Sequence, residues 1–336
     1  MRQVRVHGPG DVRLDDVDDP GRPGPRDAVL APAACGICGT DVGYVRLGGL
    51  AGPGPEPMAL GHEVAGVVVE VGSDVSTVSP GDRVTVNPTA RGNMIGNGGP
   101  AGGLADLLVV RDAAAGQSLH LVPDELPLDL AALAEPLGVG MHAADQTELR
   151  PGERVAVFGA GPIGLAAIAS LADRGITDIV AVDRSPTRLE RATMLGASAA
   201  LRVGEDDVWG SLADRHGTTP LMGIPQAATD VFIEASGAST VLDQVIGSAR
   251  PGARLVVVAL HRRDVPVSFL DVLMRELTIR GSMEYPEDFT RMVRLLGRTD
   301  LSAMISDRFA FDDAIDALAL ADAGTSAGKV LVEIDG

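Results

Sequence analysis

Short runs of β-branched residues, broken by proline and glycine, characterise residues 1–145 of the chain. The segments 64–71 (VAGVVVEV) and 83–86 (RVTV) are examples. Runs of this kind, bounded by turn-forming residues, are typical of β-strands. We therefore predict that residues 1–145 form an irregular, mostly β domain.

The pattern changes at Pro151. An apolar segment at 155–158 precedes a glycine turn, a helix-like apolar run at 163–171 and a second apolar segment at 179–182. Further predicted strands lie at 230–233, 254–260 and 277–279, and a helix at 312–321 and a strand at 329–334 close the chain. Such alternation predicts βαβ units and a parallel sheet. The prediction is an α/β protein with a doubly wound parallel sheet in the part of the chain that begins near Pro151.

The composition is that of a folded protein with an acidic surface. The 336 residues are 45% hydrophobic and 22% charged, which is near the average for globular proteins. A formal net charge of −18 disfavours binding to nucleic acids and anionic membranes, and the single Trp, two Tyr and six Phe offer few rings for base stacking. No apolar run approaches the roughly 18 residues of a membrane helix, and no signal-peptide core follows Met1. We therefore expect a cytoplasmic protein that binds neither nucleic acid nor membrane.

The segment GAGPIG fits the G-x-G-x-x-G pattern. The motif comprises Gly159, Gly161, Pro162, Ile163 and Gly164. It follows a predicted strand and opens a predicted helix, so its glycines permit a tight turn and let a pyrophosphate approach the amides of the helix N-terminus. This context predicts a dinucleotide-binding site. The alternative is a glycine turn that only packs the helix on the strand.

Asp183 lies 19 residues beyond Gly164, at the end of the second predicted strand. An acidic side chain at this position accepts hydrogen bonds from the adenosine ribose and repels a 2′-phosphate. We therefore predict NAD rather than NADP as the cofactor. Arg184 and Arg188 leave an alternative open, because an arginine near the acid can accommodate a 2′-phosphate. Both arginines can equally be solvated residues of a helix surface.

The two cysteines, Cys35 and Cys38, are too few and too close together for a disulfide scaffold. His62 and Glu63 follow, so the first domain contains thiolate, imidazole and carboxylate, the ligand types of a catalytic zinc. A redox-active Cys-x-x-Cys pair is the alternative, but that motif belongs to a small βαβ fold, which this region does not resemble. A lone histidine is more often a buried, hydrogen-bonded residue, whereas the neighbouring donors favour a metal ligand.

Several motifs occur in order along the whole chain. They are CGTD at 38–41, GHE at 61–63, GDRV at 81–84, GGLAD at 102–106, AEPL at 134–137, the glycine turn at 159–164 and GKV at 328–330. In these segments the chain resembles the zinc-dependent medium-chain dehydrogenase/reductases, the alcohol dehydrogenase superfamily. The resemblance implies a GroES-like, mostly β catalytic domain over 1–145, completed by 286–336, and a Rossmann NAD-binding domain over 146–285.

The resemblance also implies one catalytic zinc. It places zinc ligands at Cys38 and His62. The third ligand is either Glu63 or Glu135, since relatives supply a cysteine or a glutamate at the latter position, and the carboxylate that binds can change during turnover. Cys35 occupies a position that is not a ligand in the family.

Other positions carry implied roles or depart from the family pattern. Asp41 is expected to hold the ring of the zinc-binding histidine, and Thr40 to be the first hydroxyl of the proton relay. Gly43 stands where many relatives have a relay histidine, so water or a ribose hydroxyl is expected to take over the outer step. Lys329 either reaches the cofactor phosphates or the adjoining loop, or is an ordinary solvated lysine. The segment 89–103 lacks the four cysteines that bind a structural zinc in many relatives, so we expect no second zinc.

The implied reaction transfers a hydride between NAD and a small secondary alcohol, diol or polyol, with the corresponding ketone as the oxidised partner. The segments 260–281 and 285–289 look most like the sorbitol, butanediol and threonine dehydrogenase branches. Asn93 and Asn97 would suit a polar alcohol, although loop asparagines more often form turns. The alternatives are a zinc-free quinone or enoyl reductase and a non-catalytic NAD-binding relative. We expect a homodimer or homotetramer.

Overall fold

A computed structural model describes residues 1–334 of the chain. The strands are β1 (Arg2–Gly8), β2 (Asp11–Asp16), β3 (Ala28–Ile37), β4 (Met58–Ala59), β5 (Glu63–Val71), β6 (Arg83–Val86), β7 (Leu108–Val110), β8 (Leu119–Leu121), β9 (Val155–Phe158), β10 (Ile179–Asp183), β11 (Ala199–Arg202), β12 (Thr218–Leu221), β13 (Ile224–Ala227), β14 (Val231–Glu234), β15 (Arg254–Val257), β16 (Thr278–Gly281), β17 (Ile305–Ala310) and β18 (Lys329–Glu333).

The α-helices are α1 (Gly39–Leu47), α2 (Leu128–Ala131), α3 (Ala134–Gln146), α4 (Pro162–Asp173), α5 (Pro186–Met194), α6 (Val208–His216), α7 (Ser239–Ser248), α8 (Phe269–Met274), α9 (Thr290–Leu296) and α10 (Ala314–Ala323). Among the residues described, none of these helices is long and apolar enough to cross a membrane. The chain divides into two compact units, Met1–Glu135 with the residues from Asp288 onward, and Pro136–Glu287.

The first unit is mostly β. Its larger sheet has the order β17-β18-β3-β5-β6-β8, with β7 also paired to β3, and a smaller sheet has the order β2-β1-β4. Only β17 and β18 pair in parallel in these two sheets as described; the other pairs are antiparallel. Inward-facing valines and leucines form the core, and α10 contributes Ala314, Ala317 and Leu318 to it. The mostly β fold predicted for this part of the chain is confirmed.

Strand register in this unit determines which residues meet at one edge of the larger sheet. Gly36, near the end of β3, pairs with Glu63 at the start of the antiparallel β5. Val330, near the start of β18, pairs with Ile37 at the end of β3. Residues just after β3, just before β5 and at the start of β18 therefore lie together, although they are far apart in sequence.

The second unit contains a six-stranded parallel sheet in the order β11-β10-β9-β14-β15-β16. Every residue of β9 and β14 is buried. Both faces of these strands are covered, which explains why their sequences are almost continuously apolar and do not alternate between apolar and polar residues. The order reverses between β9 and β14, and ligands of doubly wound sheets bind at the carboxyl ends of the strands at such a point. The predicted α/β class and doubly wound sheet are confirmed.

Two features of the second unit were not predicted from the sequence. An antiparallel hairpin, β12–β13, follows α6, where the sequence shows no alternating apolar pattern. The second feature is a buried ion cluster around Asp230, whose carboxylate accepts hydrogen bonds from Arg154 Nε at 2.8 Å and from Arg250 Nη2 at 2.6 Å. Burial opposes the charged carboxylate, but these hydrogen bonds outweigh burial and lower the pKa of Asp230 to about 2.

Candidate metal centre and dinucleotide site

Cys38, His62 and Glu63 come together at the edge of the larger sheet of the first unit. Cys38 follows β3 and is the N-cap of α1, His62 precedes β5 and Glu63 begins it. Each residue offers one ligand atom, and the three atoms lie within 4.8 Å of one another. Within residues 1–334 this is the one group of three or more His, Cys, Asp or Glu side chains close enough to hold a metal ion.

The donor set fits a zinc ion. His62 and Glu63 are 3% and 1% exposed, and Glu63 Oε2 is buried without a hydrogen-bond partner among the described residues. Buried polar atoms without partners are costly, so an oxygen left in this way next to a thiol and an imidazole indicates a missing cation. Thiolate, imidazole and carboxylate are also the ligand types that zinc prefers.

Asp41 orients the elements that carry the donors. It occupies the first turn of α1, where its Oδ2 accepts a hydrogen bond from the backbone amide of Cys38 at 2.8 Å. Its Oδ1 accepts from the amide of Gly61 at 3.4 Å and lies 3.4 Å from His62 Nδ1. Burial opposes a charged imidazole, but the carboxylate of Asp41 and the sulfur of Cys38 outweigh burial and raise the pKa of His62 well above its usual range.

Two glycines make room for this arrangement. A Cβ atom on Gly36 would collide with Glu63 Oε2, so only glycine at this position of β3 admits the carboxylate. Gly61 has a φ of +91°, and a Cβ there would lie 2.8 Å from Cys35 Sγ. Cys35 itself is fully buried, and burial raises the pKa of its thiol well above the usual value. Its sulfur is therefore an inert part of the core.

Lys329 is buried and is not a solvated lysine, which was one of the alternatives expected for it. It is 2% exposed at the start of β18, and its ammonium donates to Glu63 Oε1 at 2.5 Å and to the carbonyl of Ile37 at 3.1 Å. Burial opposes the charge, but Glu63 and Cys38 outweigh it and raise the pKa of Lys329 above its ordinary value. The expectation of a solvated lysine is wrong, because the register of β18 on β3 carries this side chain to the candidate metal ligands.

The sequence also suggested Thr40, Glu135, Asn93 and Asn97 as residues of the active site, and all four lie in the first unit. Thr40 lies in the first turn of α1, with its Oγ1 3.5 Å from Cys38 Sγ. Glu135 is 5% exposed and contributes to the raised pKa of Lys329, but it is outside the group of three. Asn93 and Asn97 are both held by hydrogen bonds inside the protein. Asn93 contacts the backbones of Ala90 and Arg111. Asn97 donates to the carbonyl of Ile95 and accepts from the hydroxyl of Tyr44.

The glycine motif forms the predicted strand–turn–helix in the second unit. Gly159, directly after β9, has a φ of +95°, and a Cβ there would lie 2.7 Å from the backbone of Ala235 and Ser236. Gly161 is the N-cap of α4, whose first residue is Pro162. Gly164 packs against the carbonyl of Gly159 with no space for a Cβ. The turn therefore presents the amide-rich N-terminus of α4 at the carboxyl edge of the sheet.

A cleft of about 290 Å³ lies along this edge. Five of the residues that the sequence predicts to bind the dinucleotide line this cleft: Gly159, Gly161, Asp183, Arg184 and Arg188. Pro162 and Ile163 are partly exposed in the first turn of α4 and are not part of its lining as described.

Asp183 is held at the end of β10. Its Oδ2 accepts from the amide of Ala160 at 2.7 Å and its Oδ1 from the amide of Ser185 at 2.8 Å. Each carboxylate oxygen can accept a second hydrogen bond, so both remain able to receive a hydroxyl.

Sequence reasoning missed the part of the cleft that follows β14. Ala235, Ser236 and Thr240 also line it. The available signal was their position directly after a predicted apolar strand, because the carboxyl ends of neighbouring parallel strands meet at the same ligand-binding edge.

Comparison with known proteins identifies the family. Residues 24–124 match the alcohol dehydrogenase GroES-like domain, and residues 162–298 match the zinc-binding dehydrogenase family. The chain is 31% identical to (R,R)-butanediol dehydrogenase of Bacillus subtilis, with 94% of each chain covered. It is also 31% identical to human sorbitol dehydrogenase, with 93% of this chain and 90% of that protein covered.

Solved structures agree with this assignment. The crystal structure of 2R,3R-butanediol dehydrogenase from Bacillus subtilis matches with a TM-score of 0.84 and 29% identity over 99% of both chains. A zinc-binding dehydrogenase from Sinorhizobium meliloti bound to NADP matches with a TM-score of 0.84 and 28% identity, over 99% of this chain and 98% of that one.

The chain therefore belongs to the zinc-dependent medium-chain alcohol dehydrogenase family, which confirms the resemblance inferred from its motifs. It is an oxidoreductase that works with zinc and a nicotinamide dinucleotide. The alternatives of a zinc-free reductase and a non-catalytic relative are not favoured.

Proposed function

We propose that this protein oxidises a small secondary alcohol, diol or polyol to the corresponding ketone with NAD, and reduces that ketone with NADH. The observation that carries the proposal is the group formed by Cys38, His62 and Glu63, in which the buried Oε2 of Glu63 lacks a protein partner among the described residues. The diol and polyol class is supported by the names of the butanediol and sorbitol dehydrogenases to which the chain is similar.

We propose Cys38, His62 and Glu63 as the ligands of a single zinc ion, with Glu135 as the alternative carboxylate ligand. Glu135 is near enough to Lys329 to contribute to the raised pKa of that ammonium. When bound, zinc supplies Lewis-acid activation of the substrate oxygen, and the nicotinamide accepts the hydride. The segment 89–103 contains no cysteine, which supports one zinc per chain rather than two. Thiolate and carboxylate would together balance the charge of Zn²⁺, and the Lys329 ammonium beside Glu63 would leave one positive charge next to the metal site.

We propose that Thr40 accepts the proton of the alcohol hydroxyl. Its Oγ1 lies 3.5 Å from Cys38 Sγ, so a group held by the same donor set is within its reach. Asp41 has the supporting role of fixing the Cys38 amide and the ring of His62. Gly43 supplies no side chain, so water or a ribose hydroxyl takes the proton onward.

We propose that the cleft of the second unit binds the adenosine half of NAD. Its support is the glycine turn of Gly159, Gly161 and Gly164 at α4, together with the Asp183 carboxylate at the end of β10. A dianionic 2′-phosphate next to that carboxylate would be repelled, which favours NAD. Arg184 and Arg188 also line the cleft and are the groups that would accommodate NADP instead.

The proposed catalytic domain comprises 1–145 completed by 286–336, and the proposed dinucleotide domain comprises 146–285. The division into compact units near residues 135 and 288 supports two domains of about these extents.

We propose that the protein assembles as a homodimer or homotetramer. Strand β16 is the last strand in the order of the parallel sheet, so one of its edges has no neighbouring strand in the sheet as described. Helix α8, which precedes it, exposes Phe269, Leu270 and Leu273 by 78%, 70% and 69%. An open strand edge and exposed apolar side chains on the preceding helix are both features that a second copy can cover. Analytical ultracentrifugation of wild type and Leu270→Asp tests this, and a monomeric wild-type protein would contradict it.

The direct test combines metal analysis with a substrate panel. We expect about one zinc per chain and reduction of NAD with secondary diols or polyols, followed by the absorbance of the reduced nicotinamide. Chelation should abolish turnover, and added zinc should restore it. A zinc content near two per chain would contradict the single site, and zinc-loaded enzyme that oxidises no member of the panel would contradict the proposed substrate class.

A further inference from the structure

A buried carboxylate–imidazole pair lies at the carboxyl edge of the parallel sheet, and neither the proposed zinc site nor the adenosine cleft uses it. Glu234 is the last residue of β14 and is fully buried. His261 lies in the loop that follows β15, and its Nε2 is 2.9 Å from Glu234 Oε2. The side chain of His261 is 13% exposed, so its ring reaches the surface of this edge.

The carboxylate of Glu234 is held firmly. Its Oε1 accepts hydrogen bonds from the amide of Ser236 at 2.8 Å, the hydroxyl of Ser236 at 2.6 Å and the amide of Gly237 at 2.9 Å. Its backbone carbonyl accepts from the amides of Val258 and Ala259, which fixes the start of the loop that carries His261. Both partners of the pair therefore have defined positions.

This geometry leaves one ring nitrogen of His261 for another partner. Because a carboxylate only accepts hydrogen bonds, the contact with Glu234 places a proton on Nε2. Within residues 1–334, Nδ1 of the same ring has no hydrogen-bond partner. A buried carboxylate that orients an imidazole while the other ring nitrogen faces outward is the arrangement of a binding histidine.

The strand order indicates which part of the cofactor reaches this nitrogen. Asp183 ends β10, the glycine turn follows β9, and Glu234 ends β14, the next strand of the sheet. Adenosine at Asp183 and pyrophosphate at the turn direct the rest of a dinucleotide over the ends of β14 and β15. Ser236, a partner of Glu234, already lines the cleft. The group beyond the pyrophosphate is the nicotinamide-side ribose, whose hydroxyls both donate and accept hydrogen bonds.

We propose that His261 binds a hydroxyl of the nicotinamide-side ribose through Nδ1, and that Glu234 is a positioning residue that holds the imidazole for this contact. The inference rests on the proposed function, because it requires a dinucleotide along this edge. It adds a cofactor-binding residue for the half of the dinucleotide that neither the glycine motif nor Asp183 contacts.

His261 could instead have a purely structural role, in which its hydrogen bond to Glu234 only links two loops. The structural role and the binding role predict different effects of substitution on cofactor affinity. Glutamine at position 261 can keep a donor to Glu234 but has no counterpart of Nδ1. His261→Gln therefore preserves the hydrogen bond to Glu234 and removes the proposed contact with the cofactor. ADP, which lacks the nicotinamide half, reports on the adenosine cleft alone.

The test measures the dissociation constants of NADH and ADP by titration calorimetry on the full zinc-loaded chain. In His261→Gln we expect NADH to bind about three- to tenfold more weakly, the range for one lost hydrogen bond, while ADP binds as in wild type. Glu234→Gln should weaken NADH in the same direction. His120→Gln makes the same chemical change in the first unit and should leave both ligands unaffected.

Two outcomes would overturn the proposal. Unchanged NADH affinity in His261→Gln would show that Nδ1 contacts no part of the cofactor, and equal weakening of NADH and ADP would show a structural role. A second measurement on wild type needs no variant to fold: an NADH analogue lacking one nicotinamide-side ribose hydroxyl should bind more weakly, and full affinity for each such analogue would also refute the contact. Failure of wild type to bind either NADH or ADP would instead contradict the proposed function.

Discussion

Replacing Lys329 by methionine tests whether its buried ion pair organises the candidate metal centre. The ammonium contacts Glu63 Oε1 at 2.5 Å, and the two side chains are 3% and 1% exposed. Methionine retains most of the length of the side chain and removes its charge. The substitution therefore leaves the Glu63 carboxylate buried with neither of its oxygens bonded to a cation.

The expected cost is large because the pair is almost completely removed from water. Removing one partner of a buried ion pair typically costs about 3–5 kcal/mol, since the remaining charge loses its compensation. Lys329→Met should lower the free energy of unfolding of the first unit by this amount. The double variant Lys329→Met/Glu63→Gln should recover part of the loss, with a coupling energy of roughly 2 kcal/mol, because it leaves no buried charge at either position.

The assay is urea denaturation of chelated protein, so that zinc does not provide a second cation for Glu63. Because the chain forms two compact units, the unfolding of each is followed separately by hydrogen exchange. Arg13→Met is the matched control. Arg13 pairs with Asp11 at 2.7 Å, but both side chains are largely solvated, so its loss should cost far less than the loss of Lys329.

Two results would refute this reasoning. A cost for Lys329→Met no greater than that of Arg13→Met would show that the contact contributes little when the chain is free of metal. Strict additivity of the two single substitutions would show that the side chains do not interact.

Four further experiments test the proposed site and one ion cluster. Cys38→Ser should lose bound zinc and turnover while Cys35→Ser keeps its zinc, measured by metal analysis; equal loss in both would indicate a shared role. Asp183→Gly should lower or reverse the preference for NAD over NADP in kcat/KM, and a wild-type enzyme more efficient with NADP would contradict the role of Asp183. Thr40→Val should reduce turnover by about 10²–10⁴-fold at unchanged zinc content, and near-normal turnover at full zinc occupancy would exclude Thr40 from the relay. Asp230→Asn should cost about 2 kcal/mol at neutral pH, because the pKa of Asp230 falls from 3.8 to about 2 on folding; the cost should fade as the pH drops through that interval, and a pH-independent cost would exclude this linkage.

Local patterns made the parallel sheet and its glycine turn predictable. The segments at 155–158 and 179–182 are apolar throughout because both faces of the strands are covered, and the turn needs glycine where φ is positive. The hairpin β12–β13 was not predictable in this way. Its strands are short and largely exposed, so no buried face imposes an alternating pattern on the sequence.

The candidate metal centre shows where sequence reasoning stops. Donor types and motif resemblance were enough to select Cys38 and His62, but they left Glu63 and Glu135 as equal candidates for the third ligand. The structure brings Glu63 into the group of three, and it does so through the pairing of Gly36 with Glu63 across β3 and β5.

Lys329 is the clearest case of a residue whose role depends on strand register. It is separated from Glu63 by 266 positions in sequence, and nothing in its immediate neighbours marks it as buried. Its position follows from two antiparallel pairings in succession, β18 on β3 and β3 on β5. A shift of one residue in either pairing would place the side chains of Lys329 and Glu63 on opposite faces of the sheet. The candidate ligands and their buried cation therefore depend on the same register, which couples the formation of the metal site to the correct folding of this sheet.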